Sequence, residues 1–323
     1  MMPGYVEYGA RVTAPPPFIC REGHFQALVF EGTDAALSAL CEKMLNVPAA
    51  GGALYSPIGR HVLVLTGSFA KVASQAPGFS DRGSVRETQL SIWVPARATY
   101  PQRDPADREG LCMLVPYIFV DNPMSYLGGR EDFGYAKAMG QFQPPNALGT
   151  SITLDAFGGD FAPGNEAAWR PLLAITGPQA AAGTDAAPVA SEDWKTGPEL
   201  AALLGRGADP SSSADWIACL GLLRDLLEGL LEGRTKQVFL KQFRDSGSAE
   251  QACYQALVEA PAQVENVRWR PSLREWTLTV NPLDSHPIAA DLGLESQATR
   301  LSFDVAFDMT VATGTIVAPP SMI

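Results

Sequence analysis

The sequence lacks the cysteine and histidine patterns that mark metal sites and disulfide frameworks. Its five cysteines are far apart and include no C-x-x-C pair, and its three histidines are isolated from one another. Scattered thiols of this kind indicate a reducing compartment, and they offer zinc no set of neighbouring ligands. We therefore expect a cytoplasmic protein that binds no metal.

Motifs for nucleotide binding and for serine hydrolysis are missing as well. The chain contains no G-x-G-x-x-G run, no G-x-x-x-x-G-K-[ST] run and no G-x-S-x-G run. A dinucleotide fold, a phosphate-binding P-loop and a Ser-His-Asp triad therefore have no support in the sequence.

Positive charge is scarce, and no apolar run is long. Lys and Arg total 24 against 35 Asp and Glu, which gives a formal net charge of −11 at pH 7. An acidic surface repels nucleic acid and anionic membranes, so neither is an expected partner. The longest apolar run, Leu111–Val120, is too short to span a bilayer and contains Pro116. The first residues show no basic stretch followed by an apolar one, so no signal peptide is expected.

What the chain does have is apolar material in short runs. It is 46% hydrophobic and 18% charged, with 30 glycines and 26 prolines. Strand-length stretches rich in branched and aromatic residues occupy much of the first half: His24–Glu31, His61–Gly67, Thr88–Val94 and Cys112–Val120. Frequent turns between short strands favour an all-β barrel or sandwich over repeated βαβ units.

Two helices are predicted among the strands. Thr33 or Asp34 can cap the first one, which has leucines at helical spacing. A stretch at 177–213 is rich in Ala, Gly, Pro and Ser, which is typical of an exposed loop. A broad apolar stripe follows over Trp216–Leu231 and predicts the second helix. Such a stripe must be buried, either on the barrel or on another subunit.

The chemically distinctive segment is GGREDFGYAKAMG at 128–140. It holds Lys137, one of only six lysines, in the least polar lysine neighbourhood of the chain. If the segment is extended, Phe133, Tyr135 and Met139 share a face with the lysine. If it is a helical turn, Phe133 still lies four residues before the lysine. Both arrangements predict aromatic or thioether groups around the amine.

Burial in such a neighbourhood disfavours the charged ammonium and so increases the share of the neutral, nucleophilic amine. The ordinary alternative is that Lys137 extends its charged end to solvent along its methylene stem. The local pattern alone is compatible with a buried and with a solvent-exposed amine. Similarities elsewhere in the sequence are needed to choose between the two.

The segment resembles the active-site stretch of the acetoacetate decarboxylase family, in which G-R-E is followed by an aromatic-Pro-Lys sequence whose lysine forms a Schiff base. The similarity extends to PYIFVDNPMSYLGGRE at Pro116–Glu131, to FICRE at Phe18–Glu22 and to RETQLSIWV at Arg86–Val94. It implies one domain over residues 1–323, with a loop and a helix inserted at about 177–234.

The resemblance implies catalytic roles for three residues. Lys137 would be the Schiff-base nucleophile. Arg21 would face the pocket and help to hold a carboxylate, since a guanidinium matches a carboxylate in shape. Its alternative is a surface salt bridge with Glu22. Glu87 would be a pocket acid or base, and its alternative is a solvated pair with Arg86.

Tyr135 and Phe18 would line the substrate pocket, although an ordinary core position is the alternative for the tyrosine. The chain also departs from the family. Ala138 stands where the decarboxylases have a second lysine, and Ala136 stands where proline is usual. The second pocket glutamate of the decarboxylases has no counterpart in His61–Thr66. These departures leave Schiff-base chemistry possible and weaken the case for acetoacetate itself as the substrate.

The resemblance also implies a mainly β (α+β) fold, with a closed β-barrel, a flanking antiparallel sheet and a few helices, in a homo-oligomer. The implied function is a lyase that forms a Schiff base with a small oxo acid and decarboxylates a β-keto acid. The same intermediate serves an aldolase-dehydratase that acts on pyruvate-like substrates and aldehydes. A barrel that binds a small molecule without turnover is the third possibility. None of the three needs a metal or an organic cofactor.

Overall fold

A computed structural model of the chain describes residues 4–6, 13–143, 151–177, 194–197, 199, 214–272 and 274–322. Most of these residues lie in strands, several of them much longer than the predicted runs. In chain order, β1 to β15 are Phe18–Glu31, Leu54–Pro57, His61–Ser74, Val85–Thr99, Glu109–Val120, Lys137–Gln143, Ile152–Gly158, Ala168–Thr176, Lys195–Thr196, Lys236–Arg244, Ala252–Ser272, Trp276–Val280, Gln297–Thr299, Ser302–Val311 and Thr315–Met322.

Helices of very different length lie between the strands. Those labelled α1 to α5 are Asp34–Cys41, Val47–Ala49, Pro123–Asp132, Ala214–Leu231 and Ile288–Leu292. A π-helical turn at Glu42–Asn46 joins α1 to α2, and a 3₁₀ turn at Pro105–Asp107 precedes β5. In the part of the chain that the structure describes, no helix has the length and apolar character needed to cross a membrane.

Seven of the strands form a ring-like sheet. β4 pairs with β3 on one side and with β5 on the other, and the pairings run from β5 through β10, β11, β14 and β1 back to β3. The pairs in this ring are antiparallel apart from the parallel pair of β5 with β10. The mainly β prediction is confirmed, and the closed barrel stays a prediction.

A second sheet branches from the ring at β6. This strand pairs in parallel with β5, where Lys137 lies opposite Ile118, and antiparallel with β7. The sheet then continues through β8, β12 and β13 with antiparallel pairs. Lys137, the first residue of β6, therefore lies where the two sheets meet.

The two faces of β4 show how the ring separates core from cavity. Leu90 and Ile92 are fully buried in the main hydrophobic core, together with Leu37 and Leu40 of α1. Side chains of successive strand residues point to opposite faces, so the residues between them face the inside of the ring. Thr33 caps α1 by accepting a hydrogen bond from the next turn, which confirms the predicted helix start.

Helix α4 confirms the predicted apolar helix and shows where its stripe is buried. Leu222 and Leu226 pack in one cluster with Met113 and Val115 of β5 and Phe239 of β10. Burying a leucine side chain contributes about 1.5–3 kcal/mol, so this face holds the helix on the ring. Much of the predicted insertion, including 178–193 and 200–213, lies outside the described residues.

Candidate active site

Lys137 is presented by a helix, a turn and a strand in succession. The side chain of Asn122 caps α3 by accepting hydrogen bonds from the amides of Met124 and Ser125. The helix ends at Asp132, with Phe133 as its C-cap, and β6 begins at Lys137. The segment 128–140 is therefore neither a single strand nor a single helical turn. Lys137 is the first strand residue after the turn.

Two glycines allow this arrangement. Gly134 has a φ of +83°, and a Cβ atom there would lie 2.5 Å from the Cα atom of Lys241. A Cβ atom on Gly129 would lie 2.8 Å from the Cδ and Cε atoms of Lys137. Glycine at the first position permits the left-handed turn, and glycine at the second leaves room for the lysine stem.

The Lys137 amine lies in a buried triangle of polar groups. Its Nζ atom is 3.2 Å from Oε2 of Glu87 and 2.6 Å from Oγ of Ser125. The Ser125 hydroxyl in turn donates to the same Glu87 oxygen. Only 10% of the lysine side chain and 5% of the glutamate side chain are exposed. Lys137 therefore does not extend to solvent, and Glu87 is not a solvated surface residue.

Aromatic rings form the wall beside the amine. The centroid of the Tyr135 ring lies 5.5 Å from the Nζ atom, which is within the range of a cation–π contact. The same ring packs 4.0 Å from the Phe239 ring and 5.5 Å from the Phe133 ring, and Phe18 packs against Phe133. The aromatic part of the predicted wall is thus present, whereas Met139 is not one of the cavity residues.

The amine faces a cavity of about 490 Å³. The cavity is lined by residues of six ring strands and of α3, so it lies inside the ring. Phe18, Glu87, Tyr135 and Lys137 all line it, and Glu87 is the one carboxylate among the described lining residues. The volume is typical of small-molecule sites. The structure therefore brings four of the five predicted site residues together.

Two further ionisable groups of the cavity hold their protons. Burial raises the pKa of the Cys20 thiol to about 12, and the charge of Glu87 acts in the same direction while nearby cations oppose it. Burial also raises the pKa of the Tyr135 hydroxyl well above its usual range. That hydroxyl donates to Oε1 of Gln237 at 2.6 Å. Near neutral pH neither group competes with the lysine as a nucleophile.

The structure does not bring Arg21 into the cavity, contrary to the expectation from the sequence. Neighbouring strand residues point to opposite faces, and because Cys20 faces the cavity, Arg21 faces away from it. Its guanidinium pairs with Glu265 and Asp308 at 3.4 and 3.5 Å, and 35% of its side chain is exposed. The surface salt bridge is therefore the correct alternative, with partners other than Glu22.

Ser125 is a residue of the site that the sequence analysis missed. The D-N turn indicates a helix start, and this start places Ser125 one helical turn after the capping Asn122. The side-chain amide of Asn122 donates to the backbone carbonyl of Arg86, which fixes the start of α3 against β4. That contact, between residues far apart in the sequence, is what brings the serine to Glu87.

The site offers a nucleophile, a proton acceptor and a hydroxyl group between them. Within the described ranges, no group of three or more His, Cys, Asp and Glu side chains is arranged to hold a metal ion. A buried amine that can pass a proton to a carboxylate, at the wall of a cavity, is suited to attack on a carbonyl carbon.

Comparison with known proteins identifies the fold. No protein-family model matches the sequence, and no curated protein is significantly similar to it. The structure is similar to an acetoacetate decarboxylase from Legionella pneumophila, with 14% identity, a TM-score of 0.54, and coverage of 98% of this chain and 92% of that one.

Two further solved structures are similar. An acetoacetate decarboxylase-like enzyme from Sphingomonas wittichii shares 12% identity over 94% of each chain, with a TM-score of 0.51. The enduracididine biosynthesis enzyme MppR shares 13% identity over 96% of this chain and 90% of that one, with a TM-score of 0.50. The resemblance found in the sequence is confirmed in three dimensions: the chain has an acetoacetate decarboxylase-like fold.

Proposed function

We propose that the protein is a lyase in which Lys137 forms a Schiff base with the carbonyl carbon of an oxo acid, after which a β-oxo acid loses carbon dioxide. One observation carries the proposal: a buried amine lies 3.2 Å from a carboxylate at the wall of a cavity of about 490 Å³. Burying an amine and a carboxylate costs solvation free energy. A role of the two groups in imine formation would account for a buried pair at this position. The fold shared with acetoacetate decarboxylases supports the same chemistry.

Imine formation requires a neutral amine and releases one water molecule. In this step Nζ of Lys137 passes a proton to Oε2 of Glu87, either directly or through the hydroxyl of Ser125, and then attacks the carbonyl carbon. Two protons of the original ammonium leave with the carbonyl oxygen as water. The third stays on the nitrogen, which is left as a protonated imine. Glu87 ends the step as a carboxylate beside this cation.

The protonated imine is an electron sink for the adjacent bond to the carboxylate carbon. That bond breaks, carbon dioxide leaves, and the electron pair moves toward the nitrogen to give an enamine. A proton from water or through Glu87 returns to the carbon, and water then hydrolyses the imine to free the ketone and Lys137. The Tyr135 ring, 5.5 Å from the nitrogen, stabilises the cationic intermediates.

An aldolase-dehydratase is the second candidate, and the polar groups of the site favour it. Ala138 packs against the main core where the decarboxylases have a second lysine. Glu87 supplies the one carboxylate among the described lining residues. An enamine made from a pyruvate-like substrate attacks the carbonyl carbon of an aldehyde, and loss of water gives a condensation product. This route needs only one acid–base group beside Lys137.

Trapping with borohydride tests both candidates. The purified chain is incubated with acetoacetate or pyruvate, reduced and digested, and the peptides are weighed by mass spectrometry. We expect an adduct on Lys137 that is absent from Lys137→Ala. Lys241 is the matched control, because burial lowers its pKa from the ordinary 10.5 although it does not line the cavity. An adduct on Lys241 in place of Lys137 would contradict the proposal.

The products separate the remaining possibilities. Release of carbon dioxide indicates the decarboxylase, and a dehydrated condensation product formed with an added aldehyde indicates the aldolase-dehydratase. No adduct with a broad panel of oxo acids would favour a small-molecule-binding barrel without turnover. The closed barrel, the homo-oligomer and the cytoplasmic location stay predictions of the sequence.

A further inference from the structure

The cavity offers more space than a three- or four-carbon oxo acid fills. Its volume of about 490 Å³ equals that of about 16 water molecules, at roughly 30 Å³ for each molecule in the liquid. Pyruvate and acetoacetate are far smaller than this. The shape and lining of the remaining space therefore bear on the substrate of Lys137.

The space extends along β4, away from the amine. Glu87, Gln89, Ser91 and Trp93 alternate along the strand, and all four line the cavity. At about 3.3 Å per residue, the first and last of them are roughly 20 Å apart along the strand. Lys137 contacts the Glu87 end, so the extension runs from the amine toward Trp93.

The walls of the extension are largely apolar. One hydrophobic cluster joins Trp93 to lining side chains from three other ring strands: Phe18, Ile118, Met309 and Val311. The polar groups of this region are mostly occupied: Ser91 accepts a hydrogen bond from Trp93 at 2.7 Å, and Gln237 accepts one from Tyr135 at 2.6 Å. Such a surface suits an alkyl or aryl group and does not suit a second carboxylate.

The mouth of the cavity has a different character. Among the described lining residues, the cation besides Lys137 is Arg82, which is exposed in the loop between β3 and β4. Its guanidinium carbon lies 3.9 Å from the ring centroid of Phe79, another lining residue. Arg82 thus places a cation among the exposed lining residues, whereas the extension is largely apolar, and the amine of Lys137 lies between the two.

We propose that the substrate is an oxo acid carrying an alkyl chain or an aromatic ring on the side of its carbonyl group away from the carboxylate. The apolar tail occupies the extension toward Trp93, the carbonyl carbon faces Nζ of Lys137, and the carboxylate faces Arg82. This assignment rests on the proposed function, because it uses Lys137 as the nucleophile.

The experiment compares acetoacetate with 3-oxooctanoate and 3-oxo-3-phenylpropanoate in borohydride trapping on the full chain. The measured quantity is the acid concentration that gives half-maximal adduct on Lys137. A buried methylene strengthens binding about 4-fold, so we expect both larger acids to reach half-maximum at a concentration at least about 10-fold lower. Equal values, or a preference for acetoacetate, overturn the inference while the adduct still supports the proposed function. No adduct with any acid overturns both.

Two variants locate the tail. Ser91→Phe fills the extension, and we expect the ratio of the half-maximal concentrations for the short and long acids to fall to about 1. Trp93→Ala lengthens the extension, and we expect it to move the preference toward acids longer than 3-oxooctanoate. This variant provides a second test if circular dichroism shows that Ser91→Phe does not fold. An unchanged preference in both folded variants would place the tail elsewhere and contradict the assignment.

Discussion

Two lysine–glutamate ion pairs with buried carboxylates lie in different surroundings. In the cavity pair, Lys137 and Glu87 are 3.2 Å apart with side chains 10% and 5% exposed. In the core pair, Lys236 and Glu259 are 3.0 Å apart with side chains 31% and 1% exposed. The two ion pairs have nearly the same length and carboxylates of nearly the same burial. The pairing itself therefore does not distinguish a reactive site from a structural one.

The neighbours of the two pairs do distinguish them. The carboxylate of the core pair accepts hydrogen bonds from Tyr55 of β2 and from Tyr100, which directly follows β4. These bonds hold β2 and β4 against β11. Neither Lys236 nor Glu259 lines the cavity that Lys137 faces. The cavity pair instead shares one hydroxyl, that of Ser125, and lines the cavity. Of the two amines, that of Lys137 lines the cavity and that of Lys236 does not.

The largest expected effect follows from exchanging lysine for arginine in each pair. Lys137→Arg keeps the positive charge but cannot form an imine, so turnover of the oxo acid should fall by about 10³-fold or more and the borohydride adduct should vanish. Lys236→Arg should leave both within about 2-fold of the unchanged protein. Initial rates and adduct mass are measured after circular dichroism has shown that both variants fold. If the adduct were lost in Lys236→Arg and kept in Lys137→Arg, the core pair and not the cavity pair would be the reactive one.

The cavity pair could be predicted in large part from the sequence. Lys137 stands out because lysine is rare in the chain and because aromatic residues precede it within one helical turn. Glu87 and the mainly β fold followed from short motifs that occur in the order found in a known family. Local patterns were sufficient here because the turn and the strand that hold the lysine are continuous in the sequence.

The rest of the site depends on contacts that no local pattern shows. Glu259 lies 204 residues from Tyr55 and 159 from Tyr100, so the core pair was not foreseen. Arg21 was placed on the wrong face because a shift of one residue turns every side chain of a strand to the other face. The strand is irregular there, with a register shift between Cys20 and Gly23.

Removing the carboxylate of the core pair should cost more stability than removing that of the cavity pair. For activity the order is the opposite, because Glu87 lies beside the reacting amine. Glu259→Met leaves two tyrosine hydroxyls and a lysine without their buried acceptor, so the free energy of unfolding should fall by about 3 kcal/mol or more. Glu87→Met should cost only about 1 kcal/mol, because water in the cavity can solvate Lys137. Urea unfolding curves measure both values. Equal losses would show that the cavity pair is as structural as the core pair.

Ser125 should affect the rate of imine formation more than its extent. In Ser125→Ala, the Nζ atom can still pass a proton directly to Glu87, so we expect single-turnover trapping to slow by about 10-fold to 30-fold. Ser125→Thr keeps the hydroxyl and should recover most of the rate. Tyr55→Phe removes a hydroxyl from the core pair and should leave the trapping rate unchanged while lowering stability by about 1–2 kcal/mol. A rate unaffected by Ser125→Ala would exclude the serine from proton transfer.

The smallest expected effect is on stability at alkaline pH. It tests whether the tyrosines of the core pair keep their protons in the folded protein. Burial, and then the charge of Glu259, raise the pKa of Tyr55 and Tyr100 above their ordinary 10.0. A pKa raised by folding leaves stability intact below 10.0 and lowers it above, because the unfolded chain then releases the proton first. Each tyrosine should lower the free energy of unfolding by about 1.4 kcal/mol per pH unit there. Urea unfolding of Tyr55→Phe should show a slope shallower by about this amount, whereas Ser125→Ala should keep the original slope.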